Sequence, residues 1–349
     1  MMTQTYDALL IVSFGGPKAM ADVMPFLENV TRGKNVSRER LREVAHHYEL
    51  FDGISPINEQ NRQLIAALQK ELAANGPQFP IYWGNRNWHP LLEDAVREMK
   101  RDRIRRALAF VTSAYSSYSS CRQYREDIAR ACEAVGTGAP QIDKLRAFYN
   151  HPGFIEPNTE NVRAALAQVL EERRAAAHIA FTAHSIPQSM AANCAYENQL
   201  QETCSLIARS LGHENWRLVF QSRSGPSTQW LEPDICDHLA SLKRTGARDV
   251  VVAPVGFISD HMEVLYDLDT EARSLSERIN LNMIRAKTVG AHPTFIKMIR
   301  ELMLERINNV ASAERRYLGM CGASRDVCPI DCCLWNARQP LAASGAQSS

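Results

Sequence analysis

Short apolar runs alternate with helical stretches along almost the whole chain. Ala8–Ser13 is closed by Gly15, Gly16 and Pro17, which predicts a buried first strand. Helical periodicity follows at Met20–Val30, Arg38–Phe51 and Asn58–Ala74, with Ser37 placed as an N-cap and Ser55, before Pro56, placed to cap the third helix. Phe79–Trp83 and Arg106–Thr112 read as strands, Leu91–Lys100 and Cys121–Val135 as helices. The second half continues with helices at Glu160–Arg174, Ala195–Leu211, Pro233–Thr245 and Thr294–Glu305, and strands at Ile179–Ala183, Arg217–Gln221 and Val250–Ala253. Strands separated by helices of this length imply βαβ units, hence an α/β fold of mostly parallel sheets with helices on both faces. Asn150, Pro152, Gly153 and Pro157 interrupt both periodicities, so a boundary between halves falls near Tyr149–Pro157. The expected division is 1–150, 151–308 and a cysteine-rich extension at 309–349, whose end after Pro340 reads as disordered.

Val250–Glu271 stands out within this alternation. A β-branched run ends at Pro254 and Gly256, and Asp260, His261, Glu263, Asp267, Asp269 and Glu271 follow. On a helix starting near Asp260, Glu263, Asp267 and Glu271 form one acidic line. Carboxylate and imidazole suit a divalent first-row metal and also move protons. A charge run of this kind is more often a solvated face, so the stretch alone decides nothing.

Composition narrows the field. In 349 residues, 40 basic and 39 acidic side chains leave a formal charge of +1, which gives no electrostatic case for nucleic acid or an anionic membrane surface. No apolar stretch is long enough to span a bilayer and no secretory leader pattern opens the chain, so a soluble, cytoplasmic protein is expected. Nine cysteines, an odd number, argue against a disulfide framework. Cys121, Cys132, Cys194, Cys204 and Cys236 are dispersed, and most read as small core residues. Cys321, Cys328, Cys332 and Cys333 crowd the extension, a density that favours zinc or an iron–sulfur cluster.

Ligands of open parallel sheets bind beyond the carboxyl ends of the strands. Four polar clusters occupy such places: Ser13–Pro17, the Ser/Tyr-rich Thr112–Tyr124, Thr182–Pro187 and the Val250–Glu271 stretch. His184 follows one strand and His261 and Glu263 another, so an imidazole and a carboxylate can face each other across one crevice. Tyr115, Tyr118 and Tyr124, among many serines, suit a flat ligand with polar edges. No P-loop, G-x-G-x-x-G or G-x-S-x-G motif is present, which removes support for nucleotide use or a serine hydrolase.

Together SFGGP (Ser13–Pro17), PFLENVTRG (Pro25–Gly33), GISPIN (Gly53–Asn58), GNRNWHP (Gly84–Pro90), TAHSIP (Thr182–Pro187), QSRSGP (Gln221–Pro226), WLEPD (Trp230–Asp234) and PVGFISDHMEVLYDLDTE (Pro254–Glu271) resemble the ferrochelatases. The resemblance implies two Rossmann-like domains, each a four-stranded parallel sheet flanked by helices, with a porphyrin cleft between them and ferrous iron as the other substrate. It places the catalytic and metal-handling pair on His184 and Glu263, continues the metal or proton path through Asp267 and Glu271, and leaves His261 a supporting part. Porphyrin contacts carry over to Ser55, Tyr124, Tyr48 and Phe14. Phe14 stands where some relatives have a tyrosine, so an axial-tyrosine role is lost, and Thr31, beside Arg32, stands where some have an arginine. PFLENVTRG and GNRNWHP resemble the actinobacterial branch, which favours coproporphyrin III over protoporphyrin IX. The extension resembles that of a subclass with a [2Fe–2S] cluster, its implied ligands here being Cys121, Cys321, Cys328 and Cys333, the last preferred over Cys332. The resemblance also leaves room for a homodimer and for transient contact with the preceding or following enzyme of the haem pathway. A haem or metal carrier, an iron–sulfur sensor with a vestigial cleft, and a chelatase for another metal are the competing readings.

Overall fold

The structure, a computed structural model, describes residues 5–33, 36–224 and 228–335. The first strand, β1 (Ala8–Ser13), is buried at every position because it is central: β2 (Ile81–Asn85) and β3 (Arg106–Val111) flank it, and β4 (Gln141–Lys144) pairs outside β3. The second sheet repeats this order. β5 (His178–His184) lies between β6 (Trp216–Gln221) and β7 (Asp249–Ala253), with β8 (Asn282–Arg285) outside β7. Every pairing is parallel, giving sheet orders β2-β1-β3-β4 and β6-β5-β7-β8. The all-apolar runs are the strands covered by helices on both faces.

One core joins the two sheets. Ile11, Phe110, Phe148 and Phe154 belong to the same buried cluster as Phe181, Val251 and Phe295. The helix Pro293–Ile307 follows the second sheet in sequence, yet packs on the helix Ile57–Asn75 of the first and on Pro152–Leu166. Its Phe295 is fully buried, worth roughly 1.5–3 kcal/mol by area. Arg146 beyond β4 clamps Glu305 of this helix through two bonds of 2.7 and 3.0 Å. Removing one partner of so buried a pair strands the other charge.

Most predicted elements stand where the periodicity put them, and the exceptions have local causes. The edge strands β4 and β8 were not anticipated, because QIDK and NMIR are short, half-exposed and carry no apolar run. The predicted helix Glu160–Arg174 starts earlier, at Pro152, runs to Leu166 and is interrupted before Glu171–Arg174. Pro152 sits at the first helical position, where a missing N–H costs nothing, and His151 Nδ1 accepts from Gly153 N at 3.0 Å. Ser37 caps its helix, accepting from Arg40 N at 3.2 Å, but Pro56 occupies the other N-cap and Ser55 makes no cap bond. Of the dispersed cysteines Cys121 and Cys204 are buried, and Cys132, Cys194 and Cys236 are half-buried against the cores, as expected of small apolar residues. The segment after Pro340 lies outside the described residues.

Candidate active site

In each sheet the chain leaves its central strand in opposite directions, so a crevice opens beyond β1 and β3, and another beyond β5 and β7. The two crevices share one cleft of about 1560 Å³ lined from both halves. Tyr115 of the Ser/Tyr-rich segment donates to Val255 O at 2.8 Å, and Gln60 accepts from Asp260 N at 2.8 Å, so loops of the two halves are tied together. Across the mouth, His47 stacks on Tyr266 at 3.7 Å between ring centroids.

His184 is the last residue of β5. Its Nδ1 meets Ser185 O, which directs Nε2 toward Glu263 Oε2 at 3.7 Å. Gly256 makes this meeting possible. Its N donates to Thr182 O at 2.9 Å, and a Cβ there would lie 2.6 Å from Ala183 Cα, so only glycine lets the exit of β7 close on β5. Glu263 Oε2 also stands 3.9 Å from His261 Nδ1. Withdrawal from bulk water opposes charge on His184, but the Glu263 carboxylate, the Ser185 carbonyl and Asp267 outweigh it and raise the imidazole to about 9. Burial lowers His261; Glu263 pulls it up and the His184 charge pushes it down, and the net stays below the usual value. Glu263 thus lies between a charged and a neutral imidazole at neutral pH.

The five carboxylates after β7 divide into two sets. Arg285, ending β8, holds Asp269 at 2.7 Å and Asp260 at 3.1 Å, which makes those two structural. Glu263, Asp267 and Glu271 remain on the other side. The helix there is α only at Met262–Val264, becomes a π-helix over Leu265–Ala272, and returns to α at Arg273–Arg278. With its i→i+5 bonds the π-helix is only slightly wider than an α-helix, and Asp267 still has both Glu263 and Glu271 as charged neighbours, so the acidic line survives. Asp267 accepts from Ser222 Oγ and, at 3.2 Å, from Gln221 Nε2. Burial raises it to about 7; the Ser222 bond lowers it and Glu263 adds to the rise. Partial loss of water around the carboxyl, then Asp234, likewise raises Glu271, although the residue reaches the surface.

The porphyrin-contact candidates all reach the cleft. Phe14, Tyr48, Ser55 and Tyr124 line it, together with His184, Glu263 and Asp267, whereas Glu271 does not. Tyr48 is buried, which raises its hydroxyl, and Glu263 opposite adds to the rise, so it stays protonated. The guanidinium of Arg86, ion-paired with Asp127, lies 4.4 Å from the Tyr124 ring centroid and 5.8 Å from that of Phe14. Sequence reasoning singled out neither Arg86, Gln221 nor Ser222, although their motifs were in view. The signal was available: each is a polar residue at or just past a strand end. Ser222 also has φ 63°, a left-handed backbone uncommon for serine and associated with functional sites.

A second group of side chains lies beneath the Ser/Tyr-rich segment. Cys121 is buried in the π-turn Tyr118–Arg122, its free thiol close enough to the Cys328 thiol to share a hydrogen bond. Cys332 and Cys333 stand 3.5 Å apart, Cys328 feels Cys332, and Cys333 feels Cys121. The Cys328 hydrogen bond lowers the Cys121 thiol, with Lys144 and Arg125 assisting, and the Cys328 thiol is raised in turn. Cys321 lies elsewhere: its N donates to Glu202 at 2.9 Å, and its raised thiol neighbours Glu202 and Tyr149. Among the described residues no three His, Cys, Asp or Glu side chains meet closely enough to hold one metal ion. A cluster of two irons spreads its thiolates more widely than a single ion, and the soft, mutually interacting Cys121, Cys328, Cys332 and Cys333 fit that chemistry.

Comparison with known proteins agrees with this geometry. A family model described as ferrochelatase matches residues 6–307. The chain is 54% identical over 342 residues to a ferrochelatase of Rhodopirellula baltica, covering 97% of each. It is 51% identical over 364 residues to the coproporphyrin III ferrochelatase of Streptomyces griseus subsp. griseus, covering 98% of this chain and 97% of that one. The corresponding protein of Nocardia farcinica is 47% identical over 353 residues, covering 97% and 99%. Among solved structures, the sirohydrochlorin chelatase of Bacillus subtilis subspecies spizizenii in complex with cobalt superposes with a TM-score of 0.53 at 11% identity, covering 90% of this chain and 100% of that one, a likeness of fold. No helix among the described residues is long and apolar enough to cross a membrane.

Proposed function

The chain belongs to the ferrochelatase family, and from that premise we propose that its cleft inserts ferrous iron into coproporphyrin III to give coprohaem. The observation that carries the reading is the His184–Glu263 pair, held at 3.7 Å at the strand ends of the second sheet inside a cleft walled by aromatic side chains of the first. The named substrate of the Streptomyces and Nocardia relatives supports coproporphyrin III. So does the rim: Arg32 and Arg40 are exposed on the cleft lining, and the surface pair Arg40–Glu43 is weak enough to be exchanged for a substrate carboxylate.

Metallation breaks two pyrrole N–H bonds, forms the metal–nitrogen bonds and releases two protons. The walls of Phe14, Tyr48 and Tyr124 hold the macrocycle, and binding energy spent away from the reacting centre lowers the cost of bending it. His184 Nε2 is the strongest base of the group and receives a pyrrole proton once its own has passed on. Asp267, poised near neutrality, takes protons from the pair and delivers them along the π-helix to exposed Glu271. Glu263 and the neutral His261 present an oxygen and a nitrogen donor to the incoming ferrous ion.

The division at residues 150 and 308 fits this reading, each sheet supplying one wall. We place the protein in the cytoplasm, acting on a soluble porphyrin handed over by a neighbouring enzyme of the pathway, with a homodimer as its assembly. The thiols carry a second part of the proposal. Cys121, Cys328 and Cys333 hold a [2Fe–2S] cluster, the fourth place going to Cys321 by resemblance or Cys332 by proximity. Bound there, the cluster would cross-link the extension to the Ser/Tyr-rich segment. The test is an anaerobic metallation assay offering coproporphyrin III and protoporphyrin IX to protein whose visible spectrum is recorded first. Faster turnover of coproporphyrin III is expected, with [2Fe–2S] absorption that Cys121→Ser abolishes. Preference for protoporphyrin IX, or a colourless zinc protein, would overturn the respective part.

A further inference from the structure

The cleft is not closed by the two sheets alone. Trp335, beyond the cysteines of the extension, lines it together with Tyr118, Ser119 and Met190. The ring centroids of Trp335 and Tyr118 lie 5.8 Å apart at 53°, and Trp335 Nε1 donates to Ser189 Oγ at 3.2 Å. Tyr118 follows β3 of the first sheet, while Ser189 and Met190 lie on the short helix Gln188–Ala191 just past His184. One indole from the extension therefore bridges the strand-end segments of both halves. Its N–H is satisfied on one side and its ring is half-buried, the disposition of an aromatic that keeps surface for a flat partner.

The extension is anchored so that this ring is held in place. Arg122 Nη1 donates to Ile330 O at 2.6 Å and Cys332 O at 2.9 Å, and Arg125 Nη1 reaches Cys328 O at 3.4 Å. Further back, Leu318 N donates to Asn150 O at 2.8 Å and Asn150 Nδ2 to Gly322 O at 2.9 Å. Arg122 spends its charge on backbone carbonyls and Glu126, so its position relates to the path of the extension rather than to one side chain.

We propose that Trp335 is a porphyrin-contact residue, so that the cysteine-rich extension forms part of the substrate site and Arg122 acts as its positioning residue. The inference rests on the porphyrin reading of the cleft. The indole covers one end of the macrocycle, and whatever loosens the extension loosens the porphyrin.

The test is equilibrium binding of coproporphyrin III, without iron, followed by its Soret band in wild type, W335A, W335F, R122A and the W335A/R122A double variant. Far-UV and visible spectra matching wild type establish that each variant is folded. W335A is expected to weaken binding about tenfold, the scale of one aromatic stacking contact, and W335F to recover most of it. R122A should weaken binding in the same direction, and the double variant should be no weaker than W335A, because both changes remove one contact. The KM for ferrous iron should stay unchanged in W335A. Wild-type affinity in W335A would overturn the proposal, as would tighter binding, which would make the indole a plug. Failure of the wild type itself to bind coproporphyrin III would instead sink the porphyrin reading, and this inference with it.

Discussion

His184 keeps its charge in a partly dry site because Glu263 is there to meet it, and that dependence can be measured. The imidazole is raised to about 9 against the opposing effect of burial. A raised pKa means that the pair stabilises the fold fully below the unfolded value near 6.5 and that this contribution is lost as pH rises through about 9. Replacing Glu263 by glutamine removes the main raising influence and leaves burial in command. In E263Q the His184 titration, followed by NMR, should fall by more than two units, toward or below 6.5. Since a base works in its neutral form, the rising limb of the pH–rate profile should move to lower pH with it. An unmoved titration would mean that the two groups do not interact as described. At this scale the sequence was informative about identity and silent about state. His184, His261 and Glu263 could be named from their places after strands, and the resemblance to ferrochelatases singled out His184 and Glu263. That Asp260 and Asp269 are consumed by Arg285 while Asp267 is poised near 7 depends on folded distances.

The element that shapes the site is the exit of β7. Gly256 packs on the backbone of β5, and a π-helix carries Glu263 onward to Asp267 and Glu271. The central strands and long helices were legible because their apolar periodicity is strong. The π-helix was not, since LYDLDTEA has the same pattern an α-helix would have over two turns. The edge strands β4 and β8 were hidden for the opposite reason, having too little apolar surface to leave a pattern. G256A tests how tightly this element must be set. The new methyl collides with Ala183 Cα, the β7 exit moves off β5, and the His184–Glu263 distance grows. A displacement near 1 Å costs on the order of 100-fold in rate, so kcat should fall about that much while the thermal melt shows a folded protein. Wild-type kcat would show that the close approach is structural only.

Across the whole molecule, the same strand order occurs twice, and both crevices open into one cleft. Sites at the strand ends were anticipated from the rule for parallel sheets and the alternation of strands and helices, whereas one cleft between the halves was implied by the resemblance to ferrochelatases. What the linear order concealed is how the halves are joined. The last helix returns to the first sheet's helix Ile57–Asn75, Tyr115 bonds Val255, and His47 stacks on Tyr266, all contacts between residues remote in sequence. The cleft therefore has one imidazole–carboxylate pair set by the second half and an aromatic wall set by the first, and its chemistry should depend on both. The most direct measurement is anaerobic insertion of ferrous iron into coproporphyrin III by His184→Ala, compared with wild type in the same assay. Loss of a general base of this kind should lower kcat by about 100- to 10,000-fold, with porphyrin binding by the Soret band retained. Turnover within a few-fold of wild type would contradict the account.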